Sequence, residues 1–170
     1  KGCSSLTSVT VPCLFFQYFE TDSVIKFGFK KLFSDSISEG NLKNVTISDS
    51  VTSIPKYAFR DCSSLTSVTI PDSVISIGRA SFSGCSSLTS IAIGNSVTTI
   101  GEQAFESCSS LMGVIIPDSV TSIGNATFKK CSGLTRINIE GNAPKNYASN
   151  LFEGVSENAK ILVNEGATGF

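Results

Sequence analysis

The sequence predicts a mainly β repeat solenoid, built from coils of 23 residues with parallel strands. Three observations predict it. Leu65, Leu88, Leu111 and Leu134 lie 23 residues apart, and Cys62, Cys85, Cys108 and Cys131 keep the same interval, as do Phe59, Phe82, Phe105 and Phe128. Inside each unit apolar and polar residues alternate with the period of a strand buried on one face. Turn-forming residues then recur at fixed offsets after that alternation. A constant period of roughly 20–50 residues marks an architecture in which one unit cannot hide its apolar side and the next unit covers it.

Taken in order, the first copy is Leu6-Thr7-Ser8-Val9-Thr10-Val11, entered through Lys1-Gly2-Cys3. The chain thus begins inside the repeating phrase and reads as a piece of a longer polypeptide. Leu42 lies 36 residues after Leu6, so this first unit carries 13 residues beyond the period. Leu42, Val45, Ile47, Val51 and Ile54 restore the pattern. In the unit that follows, Leu65-Thr66-Ser67-Val68-Thr69-Ile70 predicts the main strand, with Val68 and Ile70 facing inward. Pro71-Asp72-Ser73 ends it, because Pro lacks the N–H that a ladder needs and Asp or Ser folds back on nearby backbone. Val74, Ile77, Ala80 and Phe82 form a second apolar series, predicting a shorter second ladder reached by right-handed crossovers. Gly78, Gly101 and Gly124 share one slot and predict a corner that needs either positive φ or close backbone approach. Pro55 fills that slot in the earlier coil, so positive φ cannot be general there. Phe152 and Lys160-Ile161-Leu162-Val163 predict a degenerate last coil. The expected organisation is one solenoid over 1–170: a first repeat at 1–41 with the aromatic-rich insertion, regular repeats at 42–141 and a capping repeat at 142–170.

The spacing Leu65-x-x-Val68-x-Ile70-Pro71, then Val74-x-x-Ile77-Gly78-x-x-x-Phe82-x-x-Cys85, resembles the BspA-type, or Treponema pallidum-type, leucine-rich repeats. The likeness is strong over 42–139 and weaker over 1–11 and 143–165. It implies a curved leucine-rich repeat solenoid with parallel strands on one side and short turns or 3-10 segments on the convex side. It also implies a large surface or secreted protein of gut or oral bacteria or of some protozoa, where members with an assigned role are mostly adhesins. Asn142-Ala143-Pro144 through Asn164-Glu165-Gly166 resembles the terminal unit that caps such stacks. The long unit over 12–41 departs from the pattern.

Bulk chemistry narrows the function classes. Apolar residues make up 41% and charged residues 16%, so the chain can bury a core and is not a disordered polyelectrolyte. A formal charge of -1 offers no electrostatic reason to expect nucleic acid or an anionic membrane. No apolar run approaches the roughly 20 residues of a membrane span. The chain has no His, which removes the commonest general base and metal ligand together. No serine triad can be built, and no pair of carboxylates stands at an interpretable spacing. The expectation is therefore no enzyme, no cofactor and no metal. The laddered cysteines lack the short paired spacings of zinc sites, and parallel Cβ vectors disfavour disulfides, so they read as buried thiols acting as small hydrophobes. Cys13 lies outside that ladder and has no readable partner. Asp49, Asp72, Asn95 and Asp118 form a row that reads as Asp folding its own turn rather than as a calcium site.

Two surfaces remain as candidate binding sites. The outward positions of the main strand give one column with Asn44, Ser67, Ser90, Gly113 and Arg136, and a second with Thr46, Thr69, Ala92, Ile115 and Asn138. Solenoids commonly bind through a concave sheet, so Asn44, Thr46, Ser67, Thr69, Ser90, Ala92, Ile115, Arg136 and Asn138 are the first candidates. The alternative is the long unit, which holds seven of the fifteen aromatics, with Phe15, Phe16, Tyr18, Phe19, Phe27 and Phe29 as its candidate surface and Lys26, Lys30 and Lys31 interleaved. Those rings either form a platform for a ligand or plug the open end of the solenoid, and the rarity of large exposed apolar patches favours the plug. The expected function is an extracellular protein-binding or adhesion module from a larger bacterial cell-surface protein. Its expected partner is a protein or glycan on a host or neighbouring cell. The alternative is a passive spacer, favoured by outer columns that are mostly Ser and Thr and lack aromatic anchors.

Overall fold

Each coil crosses the molecule twice in extended conformation and turns between the crossings. In the computed structural model, residues 8–11, 42–142 and 149–163 are described, and within them the chain forms eleven strands and no helix. In chain order these are β1 (Ser8–Val11), β2 (Asn44–Ile47), β3 (Ser53–Ile54), β4 (Ser67–Thr69), β5 (Ser76–Ile77), β6 (Ser90–Ala92), β7 (Thr99–Ile100), β8 (Gly113–Ile116), β9 (Ser122–Ile123), β10 (Arg136–Ile139) and β11 (Lys160–Val163). Every pairing is parallel. The expected solenoid is what the chain builds.

The Leu65-to-Ile70 type segments make the main ladder, in the order β1-β2-β4-β6 and then β8-β10-β11. Register follows the repeat, with Asn44 beside Ser67, Ser67 beside Ser90, and Gly113 beside Arg136. The hydrogen-bonded sheet is interrupted between β6 and β8. At that junction β8 starts with Gly113, a residue that weakens strands because it has no side chain to pack. The Val74-to-Gly78 type segments form the expected shorter ladder, β3-β5-β7-β9, only two residues wide. Turns rather than 3-10 helix connect the crossings among the described residues.

The interior is a set of columns. Phe59, Phe82, Phe105 and Phe128 are fully buried and stack coil on coil at centroid separations of 5.1, 5.4 and 5.5 Å. Phe152 extends the stack at 5.7 Å. Leu65, Leu88, Leu111 and Leu134 form a second buried column, and Val45, Val68, Ile91, Val114 and Ile137 a third. Cys62, Cys85, Cys108 and Cys131 line up as a column of buried thiols. The Sγ atoms of Cys85, Cys108 and Cys131 donate to the carbonyls of Phe59, Phe82 and Phe105 at 3.1, 3.2 and 3.1 Å. The residue thus packs as a hydrophobe and still satisfies a buried carbonyl of the coil before.

The corners settle the two readings of the glycine slot in favour of close approach. A Cβ on Gly78 would lie 2.5 Å from Lys56 N, and one on Gly101 2.6 Å from Arg79 N, both backbone atoms of the preceding coil. Positive φ falls elsewhere, at Tyr57, Ala80, Gln103 and Ala126 and again at Asp61, Gly84, Ser107 and Lys130. The Asp row also differs from expectation. Asp72 Oδ1 accepts the backbone N–H of Asn95 at 2.6 Å, so at this position the carboxylate ties down the next coil's turn.

Candidate functional site

The pleat of the main ladder decides which side chains leave the core. In β2 and β10 the pleat buries Val45, Ile47, Ile137 and Ile139 and turns the residues between them away from the core. Of the expected site residues, Asn44, Thr46, Thr69, Ser90, Ala92, Ile115 and Arg136 are exposed. Ser67 and Asn138 are half-buried, Ser67 because its Oγ donates to Asn44 Oδ1 at 2.9 Å. The register brings these residues into two adjacent columns on one face, which Lys160 and Leu162 extend from β11, beside Arg136 and Asn138. Sequence reasoning missed those two, although Leu162 sits in a strand whose alignment with β10 was legible.

A row of threonines borders the same face. Thr66 Oγ1 donates to Lys43 O at 2.9 Å, Thr89 Oγ1 to Thr66 O at 3.1 Å and Thr135 Oγ1 to Met112 O at 3.2 Å. These hydroxyls stitch each coil to the one before. Met112 occupies the same slot and cannot donate from its side chain. Only its backbone N–H reaches Thr89 O, at 3.3 Å, while its side chain stands 63% exposed. The signal was available in the sequence, since Met112 lies 23 residues after Thr89.

Gly113 is the second departure in that coil. A Cβ there would meet only Arg136 O at 3.5 Å and Arg136 Cβ at 3.7 Å, which is ordinary contact, and its φ is not positive. Nothing in the fold requires glycine at this position, unlike Gly78 or Gly101. Ile115, 52% exposed, is the third departure, following Thr46, Thr69 and Ala92 in the earlier coils. The inward residues of the same strand segment, Leu111, Val114 and Ile116, keep the repeat and stay buried.

Charge on this face is one-sided. Neither outward column carries Asp or Glu, and both of its cations, Arg136 and Lys160, stand directly opposite each other in register. The ion pairs among the described residues are Arg60–Asp61, Arg79–Glu102 and Lys129–Glu153, so they leave both cations without a carboxylate partner there.

Other candidate chemistry is quieter. Burial pushes the Cys85 and Cys108 thiols well above their ordinary range, and it pushes Cys131 up to about 12. Such thiols stay protonated and carry no nucleophilic character. Among the described residues no group of three or more His, Cys, Asp or Glu is placed to hold a metal ion. Among the same residues no helix is long and apolar enough to cross a membrane. The aromatic candidates Phe15, Phe16, Tyr18, Phe19, Phe27 and Phe29, together with Cys3 and Cys13, lie outside the described residues.

A family model agrees with the stacked parallel ladder and its columns of Phe and Cys. The model for the BspA type leucine rich repeat region matches residues 30–160 in 6 copies. The chain belongs to this family. Solved leucine-rich repeat structures resemble it. A T. pallidum leucine rich repeat protein is similar at 29% identity and TM-score 0.61, over 71% of this chain and 69% of that one. A leucine rich cell surface protein from Faecalibacterium prausnitzii is similar at 29% identity and TM-score 0.69, over 75% of this chain but 34% of that one. A leucine-rich repeat protein from Bacteroides ovatus is similar at 26% identity and TM-score 0.66, over 96% of this chain and 38% of that one. The chain therefore spans little more than a third of the latter two proteins. No curated protein matches the chain.

Proposed function

We propose that this chain is an extracellular protein-binding or adhesion module of a bacterial cell-surface protein, and that it binds through the outward face of its main ladder. One observation carries the reading: the interior repeats with only small changes, such as Val for Ile, while the exterior changes its chemistry. Leu111, Val114 and Ile116 keep their slots, yet Met112 stands where the neighbouring coils have Thr89 and Thr135, Gly113 where they have Ser90 and Arg136, and Ile115 where they have Ala92 and Asn138. Exposed Met112 and Ile115 add apolar area to an otherwise polar face, which suits an interaction surface. The likeness to a leucine rich cell surface protein supports the compartment.

Solenoid architecture supports the choice of face, because a parallel sheet built from stacked coils offers a partner several coils at once. The reading has no catalytic step, consistent with a chain that contains no His.

The test is a binding screen of the intact chain against a panel of extracellular-matrix proteins and a glycan array. Saturable binding that is lost in the Ile115→Ala, Arg136→Ala double variant is expected. A second reading, a passive spacer, is favoured by the uniform first coils, where Asn44, Ser67, Thr46 and Thr69 are small and uncharged. Silence across the whole screen would replace the first reading with the second.

A further inference from the structure

We infer that the carboxyl-terminal part of this face, over β8, β10 and β11, docks an extended acidic peptide segment carrying aliphatic side chains. The inference rests on the binding reading above and names the partner's chemistry. Its first support is electrostatic. Arg136 and Lys160 are directly opposite on neighbouring strands, an arrangement of like charges that costs stability in a sheet. No Asp or Glu in either column offsets it. A bound carboxylate would sit against both cations at once and relieve their repulsion, and charge-assisted hydrogen bonds from Arg are the stronger kind.

The second support is shape. Gly113 leaves a notch one side chain wide beside Arg136, where an added Cβ would make only ordinary contact, with Arg136 O at 3.5 Å and Arg136 Cβ at 3.7 Å. Glycine inside a strand that the fold does not require marks a place where another backbone can approach closely. The third support is the rim of that notch. Met112, Ile115 and Leu162 are 63%, 52% and 52% exposed, and Ile115 and Leu162 belong to the same column two strands apart, roughly 10 Å at normal strand spacing. That separation suits two aliphatic side chains of one extended segment. The columns contain no aromatic residue, so they lack the ring faces on which a sugar stacks, and this favours a peptide over a glycan.

The experiment uses the intact chain and fluorescently labelled peptides, read by anisotropy. The probes are a Glu/Leu peptide, a Lys/Leu peptide of the same pattern and a Glu/Ser peptide. Preference for the Glu/Leu probe is expected. The Arg136→Glu, Lys160→Glu double variant should weaken it by at least about tenfold, the effect of removing two charge contacts and adding repulsion. Gly113→Leu should weaken it similarly without unfolding the protein, and Lys56→Glu, the charge change of Lys160→Glu placed on a turn, should leave it unaltered. Lys160→Glu alone provides a readout that a purely structural role would not produce: melting temperature rises while binding falls. Equal binding of the Lys/Leu probe, no saturable binding of the Glu/Leu probe, or indifference to the charge reversal would each overturn the inference. So would capture of an acidic glycan that is lost in the same variants. If the protein screen instead finds a partner insensitive to Gly113→Leu and to the reversal, the partner chemistry fails while the binding module stands.

Discussion

Ser81 is buried, and its Oγ has no hydrogen-bond partner, in a slot filled by Ala58 and Ala104 in the neighbouring coils. Thr127 fills the same slot one coil further along and is satisfied, donating to Gly101 O at 3.1 Å and Gly124 O at 2.7 Å. A buried hydroxyl without a partner loses its hydration for nothing, so Ser81→Ala should stabilise the protein by about 1 kcal/mol in a urea melt. The thiol column makes a second residue-scale prediction. Burial raises the folded pKa of Cys131 from 9.0 to about 12, so in that interval the unfolded chain binds fewer protons than the folded one. Stability contributed by the neutral thiol is complete below pH about 9 and is lost as pH climbs toward 12. Melts at pH 7 and pH 10 should show a smaller loss for Cys131→Ala than for the parent chain, after subtracting the constant cost of the lost packing.

At the scale of the element, the Phe column is the largest shared structure. Phe105 is fully buried between Phe82 and Phe128 and cannot be replaced by movement of either, because both are held by coils of their own. Phe105→Ala should therefore cost about 3–5 kcal/mol by chemical denaturation. The glycine corner makes the opposite kind of prediction. Gly101→Ala would put its Cβ 2.6 Å from the Arg79 backbone nitrogen, and two coils would have to part to admit it. Overpacking of this kind costs about 1–3 kcal/mol, measurable as a lowered melting temperature. Gly113→Ala, whose Cβ meets nothing closer than 3.5 Å, should be tolerated. The two glycines separate a constraint of the fold from a feature of its surface.

For the whole molecule, coils touch only their neighbours, so stability is a sum of coil and interface terms. Deleting residues 85–107 removes one period and joins Gly84 to Cys108 in the same context that Cys85 had. The shortened chain should fold with the same circular dichroism signature per residue and a lower melting temperature. A non-cooperative or absent transition would show that the stack depends on contacts longer than one coil. The two ends of the ladder differ from its middle. Ile161 and Val163 occupy inward slots beside Ile137 and Ile139, yet they are 52% and 44% exposed, because β11 is the outermost strand of its sheet.

Much of the architecture was legible in the sequence because it is carried by local spacing. A constant 23-residue interval between Leu, Cys and Phe forces identical side chains into columns, and strand alternation assigns Val68 and Ile70 to the core without any knowledge of what covers them. The same spacing placed Ser67 and Thr69 on the outer face. Tertiary structure alone decided the rest. It separated close approach from positive φ at Gly78, since only the neighbouring coil supplies the backbone that excludes a Cβ. It directed Asp72 to the next coil's turn rather than its own, and it interrupted the ladder before Gly113. Periodicity records which residues recur, whereas clearance, register and the opposition of two cations belong to pairs of coils and exist only once those coils are stacked.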